Sequence, residues 1–124
     1  MYNWMKGNVF RMQATINDAA ITLNSAAAGA LKDCRYVRLG VDPEQWLIAV
    51  QPVSKRQIES GSIPAGQVQK LSVGKGYARI SNKEAVREIG RVIGRHPSGE
   101  KFPAEWNDAD GFLVIDLKKT EESI

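Results

Sequence analysis

Over residues 9–16, "VFRMQATI", apolar and polar side chains alternate: Phe10, Met12, Ala14 and Ile16 share one face, Arg11, Gln13 and Thr15 the other. A period of two is that of a strand with one buried face. Asn17 and Asp18 follow, residues that accept the backbone of a tight turn, and "AAITLN" then alternates again through Ile21 and Leu23. Residues 9–24 therefore predict a β-hairpin. An alanine-rich run over about residues 25–32 predicts a short helix. Asn24 or Ser25 is its natural N-cap, because either side-chain oxygen can accept from a free backbone N–H of the first turn. "YVRLGV" and "WLIAVQPV" read as a second hairpin, joined by Asp42-Pro43-Glu44-Gln45, where proline presets φ for a type I turn.

Residues 54–67, "SKRQIESGSIPAGQ", are polar, contain two glycines and a proline, and show no period; they predict a linker or long surface loop. The pattern then restarts. "VQKLSV" alternates through Leu71 and Val73, "GKG" turns the chain, and "YARIS" directs Ala78 and Ile80 inward. Ser81 and Glu84 have the spacing of a capping box, and the helix that follows runs to about Ile93, with Gly94 as its stop. "KFPAEW" and "FLVIDL" flank the turn-forming "NDADG". Each half thus reads strand, strand, helix, strand, strand. A shift of 57 takes Ile16 to Val73 and Leu23 to Ile80, growing to about 66 across the last hairpin, where "GRHPSGE" (residues 94–100) supplies the extra length.

The expected architecture is a single α+β domain over residues 1–124: two similar β-β-α-β-β units, 9–53 and 68–117, forming one β-barrel-like body. Residues 54–67 link the units, 1–8 form an N-terminal arm and 118–124 a C-terminal tail. The alternative is an undivided α+β domain. At 124 residues, 43% hydrophobic, the chain can bury a core without staples. It needs to, since its single cysteine, Cys34, forms no internal disulfide and, with only His96 beside it in kind, no zinc cluster. No cofactor or metal is expected. No apolar run approaches the roughly 20 residues that span a bilayer, and "MYNWMKGNVFRM" lacks the apolar centre of a signal peptide. The expectation is a cytoplasmic protein with no membrane partner. Seventeen basic against 14 acidic residues give a formal charge of +3, which permits an anionic partner without requiring one.

The strongest local signal for such a partner is "KGYARIS". As a strand it sets Lys75, Tyr77 and Arg79 on the face opposite Ala78 and Ile80, two cations around an aromatic ring, with Arg11 and Lys70 placed to extend the patch. An ordinary solvated strand face has the same composition. Lys83, Arg87, Arg91 and Arg95 make a basic stripe on the second helix, but Glu84 and Glu88 stand at spacings that pair with Arg87 and Arg91 and neutralise it. "GKG" lacks the spacing and the Ser or Thr of a P-loop, and "NDADG" lacks the oxygen ligands and closing glutamate of a calcium loop. Both read as turns. His96 has no partner in sequence, Cys34 reads as a small buried hydrophobe at a strand entry, and Asp108 and Asp110 lie in a turn with no apolar pocket. No catalytic constellation emerges, and the chain reads as non-enzymatic. Trp46 and Trp106 fall near the turns of the second hairpin in each half and are expected to pack on the core or a subunit neighbour. Tyr2, Trp4 and Met5 form an apolar arm that either covers an open barrel end or docks on a second subunit.

A β-β-α-β-β unit of about 45 residues, with an "I-x-L/I" strand entering a short helix and a later hairpin ending "W-L-I-A-V-x-P", resembles the swapped-hairpin domain of AbrB-type bacterial transcription regulators. Two tandem copies resemble the duplicated members of that superfamily that act in bacterial cell division. The resemblance covers most of residues 9–117 and lies in element order and apolar spacing. Where family members carry Gly-Arg entering the second strand and a proline opening the helix, this chain has Ala19-Ala20 and Ser25 in its first half and Gly76-Tyr77 and Asn82 in its second. The resemblance implies an interlocked β-barrel and sequence-selective DNA binding through basic residues on exposed strands and loops, here Lys75, Tyr77, Arg79, Arg11 and Lys70. The alternative function is a self-associating protein-protein interaction module that forms a homo-oligomer through the N-terminal arm.

Overall fold

The computed structural model describes residues 1–4, 11–31 and 34–120. It is mostly antiparallel β with few helices. In chain order come strands β1 (Gln13–Ile16) and β2 (Ala20–Asn24), helix α1 (Ser25–Ala30), strands β3 (Tyr36–Asp42) and β4 (Leu47–Val53), and helix α2 (Lys55–Glu59). A 3-10 turn at Ala65–Gln67 leads to strands β5 (Gln69–Lys70), β6 (Ser72–Gly74) and β7 (Tyr77–Ser81), helix α3 (Lys83–Ile93), and strands β8 (Glu100–Asn107) and β9 (Phe112–Asp116).

The nine strands form one sheet in the order β5-β3-β4-β9-β8-β1-β2-β7-β6, every neighbouring pair antiparallel. The two ends of that order, β5 and β6, are consecutive pieces of chain joined through Leu71, so the sheet curls into a nearly closed barrel. Leu71 N–H donates to the Arg35 carbonyl at 2.9 Å, carrying the β3–β5 pairing one residue further. The two hairpins of the first half are not sheet neighbours of each other: β1 pairs β8, β2 pairs β7 and β4 pairs β9, so the halves interlock.

The registers obey two fixed offsets. Adding 57 to both members of Thr15↔Thr22 gives Ser72↔Arg79, and adding 65 to both members of Leu39↔Val50 gives Ala104↔Ile115. The pairings across the halves use the same numbers: Thr22 faces Arg79, 57 residues on, and Ala49 faces Val114, 65 residues on. The second offset is one short of the sequence expectation. One ladder departs from the scheme. Gln13↔Pro103 would translate to Lys70↔Arg38, but Lys70 pairs Tyr36, a slip of two residues at the strand interrupted by Leu71.

Inside the barrel one cluster of side chains forms the core, including Ile16, Ile21, Leu23, Val37, Val50, Ile80, Phe102, Leu113 and Ile115. These are the inward positions of the period-two pattern. Helix α1 packs on β1, β2, β7 and β8 and buries Ala27, while α3 buries Val86, Ile89 and Ile93 at the helical spacing of three and four. Each helix is capped as its strand ends. Asn24 Oδ1 accepts from Ala27 N, and Asn82 Oδ1 accepts from Ala85 N, both at 3.0 Å. Gly94 takes the left-handed conformation (φ 74°) that stops α3. Trp46 and Trp106 pack half-buried against the core.

Several local expectations are corrected. The cap of α3 is Asn82, so the Ser81–Glu84 capping box does not form; the capping box lies in α2, between Ser54 and Gln57. Residues 54–67 contain a helix, a 3-10 turn and a buried Ile63 in place of an irregular loop. Val73, expected inside, is 65% exposed. In the N-terminal arm Tyr2 and Trp4 are exposed and their rings meet at 6.4 Å, so they do not cover the barrel; Met5 lies outside the described residues, as do Val9, Phe10 and Lys32. No helix among the described residues is long and apolar enough to cross a membrane.

Candidate nucleic-acid interface

Alternation places every second residue of β1, β2 and β7 on the outside of the barrel, and the ladders decide which of them become neighbours. Through successive pairs Ser72↔Arg79, Arg79↔Thr22, Thr22↔Thr15 and Thr15↔Lys101, five outward side chains line up across β6, β7, β2, β1 and β8. The row has a cation near each end and hydroxyls between and beside them. At about 4.8 Å per strand, Arg79 and Lys101 stand roughly 14 Å apart along it. Tyr77 and Asn24 form the next outward pair, and the Gln13 backbone N–H donates to Asn24 Oδ1 at 3.1 Å.

The charges on this face are free. Arg38 donates to Gln51 and Gln67, and Arg87, Arg91 and Arg95 pair with Glu84, Glu88 and Glu100. Lys55 and Lys118 pair with Glu59 and Asp116. Among the described residues Lys70, Lys75, Arg79 and Lys101 have no such acidic partner. An unpaired surface cation is the one with field left over for an incoming anion.

Of the predicted site residues, Tyr77 and Arg79 project from the outer face of β7, each exposed. Lys75 is not on that face; it sits in the Lys75–Gly76 turn, where Gly76 adopts φ 84°. The Tyr77 ring lies against Gly74, its cross-strand partner: a Cβ at Gly74 would stand 2.2 Å from the Tyr77 Cζ. The glycine lets the ring lie flat on the sheet. Lys70 is exposed on β5 and lines a shallow depression of about 670 Å³ with Arg35, Tyr36, Ser72 and Val73. Arg11 lies next to the outward pair of Asn24 and Tyr77, since Asn24 Nδ2 donates to its carbonyl at 2.6 Å. It also lines a depression of about 910 Å³ together with Glu105, Asp108, Asp116 and Lys119, so acids outnumber the other base around it. Lys101 was missed, because its place beside Thr15 depends on a pairing 86 residues distant that alternation alone does not reveal.

In the basic stripe of α3, Arg87 and Arg91 pair with Glu84 and Glu88, as the spacing anticipated, Arg95 pairs with Glu100 beyond the helix, and Lys83 has no ion pair among the described residues. Cys34 Sγ donates to the Tyr36 carbonyl, His96 is exposed, and no group of three metal-ligating side chains assembles. One carboxyl is perturbed. Glu100 is held below its ordinary value, first by the hydrogen bond from Ser98 Oγ at 2.6 Å, with the Ser98 backbone N–H and Arg95 helping and burial opposing. It anchors the loop that leads into β8. No protein-family model matches the chain, and no curated protein or solved structure matches it significantly.

Proposed function

We propose that this chain is a non-enzymatic nucleic-acid-binding protein, a small transcription regulator of the AbrB type built from two copies of one β-β-α-β-β unit. Two supports bear on the duplication. The offsets of 57 and 65 hold within each hairpin and again across the β2–β7 and β4–β9 ladders. Exchanging β1, β2, β3 and β4 with the strand β5–β6, β7, β8 and β9 also leaves every neighbour relation of the sheet unchanged. Such interlocking is what the family resemblance implies.

The observation that carries the function is the outward row of Arg79, Thr22, Thr15 and Lys101, flanked by Tyr77 and by Lys75 in the adjacent turn. Free cations about 14 Å apart suit phosphates on either side of a groove about 12 Å wide, with hydroxyls facing what lies between. The test is the salt dependence of binding to mixed-sequence duplex DNA. Each phosphate neutralised contributes about −0.9 to the slope of log K against log salt, so Arg79→Gln and Lys101→Gln should each flatten it by about one. A wild-type slope near zero sinks the reading.

A second reading rests on the arm: Tyr2 is 85% and Trp4 91% exposed, aromatic surface suited to a subunit contact. If self-association is the function, deleting residues 1–8 lowers the mass in light scattering. An unchanged mass removes that role.

A further inference from the structure

We infer that nucleic acid is engaged through the cations of one half of the barrel, so that a single chain covers a site without twofold symmetry. This rests on the proposed function and concerns how the same face is used. The offsets that match the registers also match residues. Lys70 corresponds to Gln13, Lys75 to Asp18, Arg79 to Thr22 by the offset of 57, and Lys101 to Tyr36 by that of 65. Arg35 and Arg11 of the first half also lack an acidic partner among the described residues, but the two cations of the outer row, Arg79 and Lys101, and the nearby Lys75 and Lys70 all come from the second half. Their counterparts are two neutral polar residues, a tyrosine and an acid.

The difference is one of position as well as number. Because β2 and β7 are antiparallel, the turn holding Lys75 and the turn holding Asp18 lie at opposite ends of the outer face. About six residues of extended strand put them roughly 20 Å apart. That exceeds the screening distance of about 10 Å at 0.1 M salt, so each end presents its own sign. Asn17 Oδ1 accepts from the Ala19 and Ala20 N–H groups at 2.9 and 2.8 Å, which fixes the first turn with Asp18 exposed beside it. A duplex laid symmetrically across Thr22 and Arg79 would bring phosphate against that carboxylate. Laid toward Lys75, Tyr77 and Arg79, with Lys101 beyond Thr15, it meets those cations first, and Glu105 on β8 is the carboxylate at that end. Proteins with working twofold symmetry bind sites with matching symmetry. A barrel whose strand order is symmetric and whose cations are not has no reason to.

The experiment measures binding of mixed-sequence duplex DNA against salt for the full chain, for Lys75→Gln and for Asp18→Asn. Both side chains are exposed in turns, so both variants retain the fold, checked by unchanged circular dichroism. The expected result is a several-fold weakening and a slope flattened by about one for Lys75→Gln, with Asp18→Asn unchanged in both. If Asp18→Asn strengthens binding and steepens the slope as much as Lys75→Gln weakens it, both turns face phosphate and the one-sided contact is wrong. It is equally wrong if neither variant differs from a steeply salt-dependent wild type. A wild type with no salt dependence overturns the proposed function itself, which keeps the two failures apart.

Discussion

The hairpins β1–β2 and β6–β7 share a register, residue for residue at an offset of 57, and have opposite surroundings. Ile16 is wholly buried; Val73, its counterpart, is 65% exposed. The reason is the next strand. β1 is paired along its full length on its far side, Gln13 to Ile16 against Pro103 to Glu100, whereas the strand that runs from β5 into β6 leaves β3 at Leu71 after a two-residue slip. Alternation decides which way a side chain points, but burial also needs a neighbour on each side. The exposed hairpin is the one that carries Lys75, Tyr77 and Arg79. Relief from packing on β6 and the accumulation of free cations on its hairpin partner coincide in the same quarter of the barrel.

The sharpest way to break this comparison is to truncate the paired positions. Ile16→Ala should lower stability in urea unfolding by about 3 kcal/mol, as large-to-small changes do in a closed core, while Val73→Ala should stay within about 0.5 kcal/mol. Similar losses at both sites would mean that Val73 is covered. The caps give a smaller contrast. Asn24 caps α1, accepts from Gln13 N and donates from Nδ2 to the Arg11 carbonyl at 2.6 Å, joining helix to strand. Asn82 caps α3 and donates to Gln69 Oε1. Asn24→Ala is expected to cost about 2 kcal/mol and Asn82→Ala about 1 kcal/mol, read from the same unfolding curves. Smaller again is the effect of Gly74→Ala: the methyl displaces the Tyr77 ring from the sheet, so tyrosine fluorescence quenching by iodide rises with little change in stability. The smallest effect concerns Glu100, whose offset-65 counterpart is Arg35. A carboxyl held below its ordinary value of 4.5 in the fold contributes stability that is present above that value and lost as pH falls through the lowered one. Glu100→Gln should therefore reduce stability at neutral pH and flatten its decline below pH 4.5, measured by unfolding across pH. A pH profile parallel to that of the wild type would show that the carboxyl does not titrate differently on folding.

The hairpins could be read from the sequence because each is local: alternation, a turn of Asn, Asp, Gly or Pro, and alternation again. The ladders that join the halves could not. A period of two tells Thr15 and Lys101 that they face outward and says nothing of their being adjacent, since strand partners 86 residues apart leave no local mark. For that reason the site was half legible. Tyr77 and Arg79 of the candidate row could be placed from their own strand, Lys101 could not, and Arg11, chosen by its alternation on the first strand, lies next to Asn24 and lines a depression with Glu105, Asp108 and Asp116. Helix α2 escaped because five residues are too few to show a period, and the α3 cap moved from Ser81 to Asn82 because either side chain can accept the same kind of hydrogen bond.

The interlocking of the two halves also sets the order of events by which the chain can fold. Each hairpin can close early, across a turn of two to four residues, but a lone hairpin is only marginally stable in water. The ladders β1 with β8, β2 with β7 and β4 with β9 join residues between 53 and 90 positions apart, and β3 with β5 joins residues 32 and 34 apart. Loop closure on that scale precedes any reward from burial, so folding is expected to be slow for a chain of this length. During synthesis the first half emerges with its inward face unmatched and stays so until β7, β8 and β9 arrive. The barrel is completed only by its last strands.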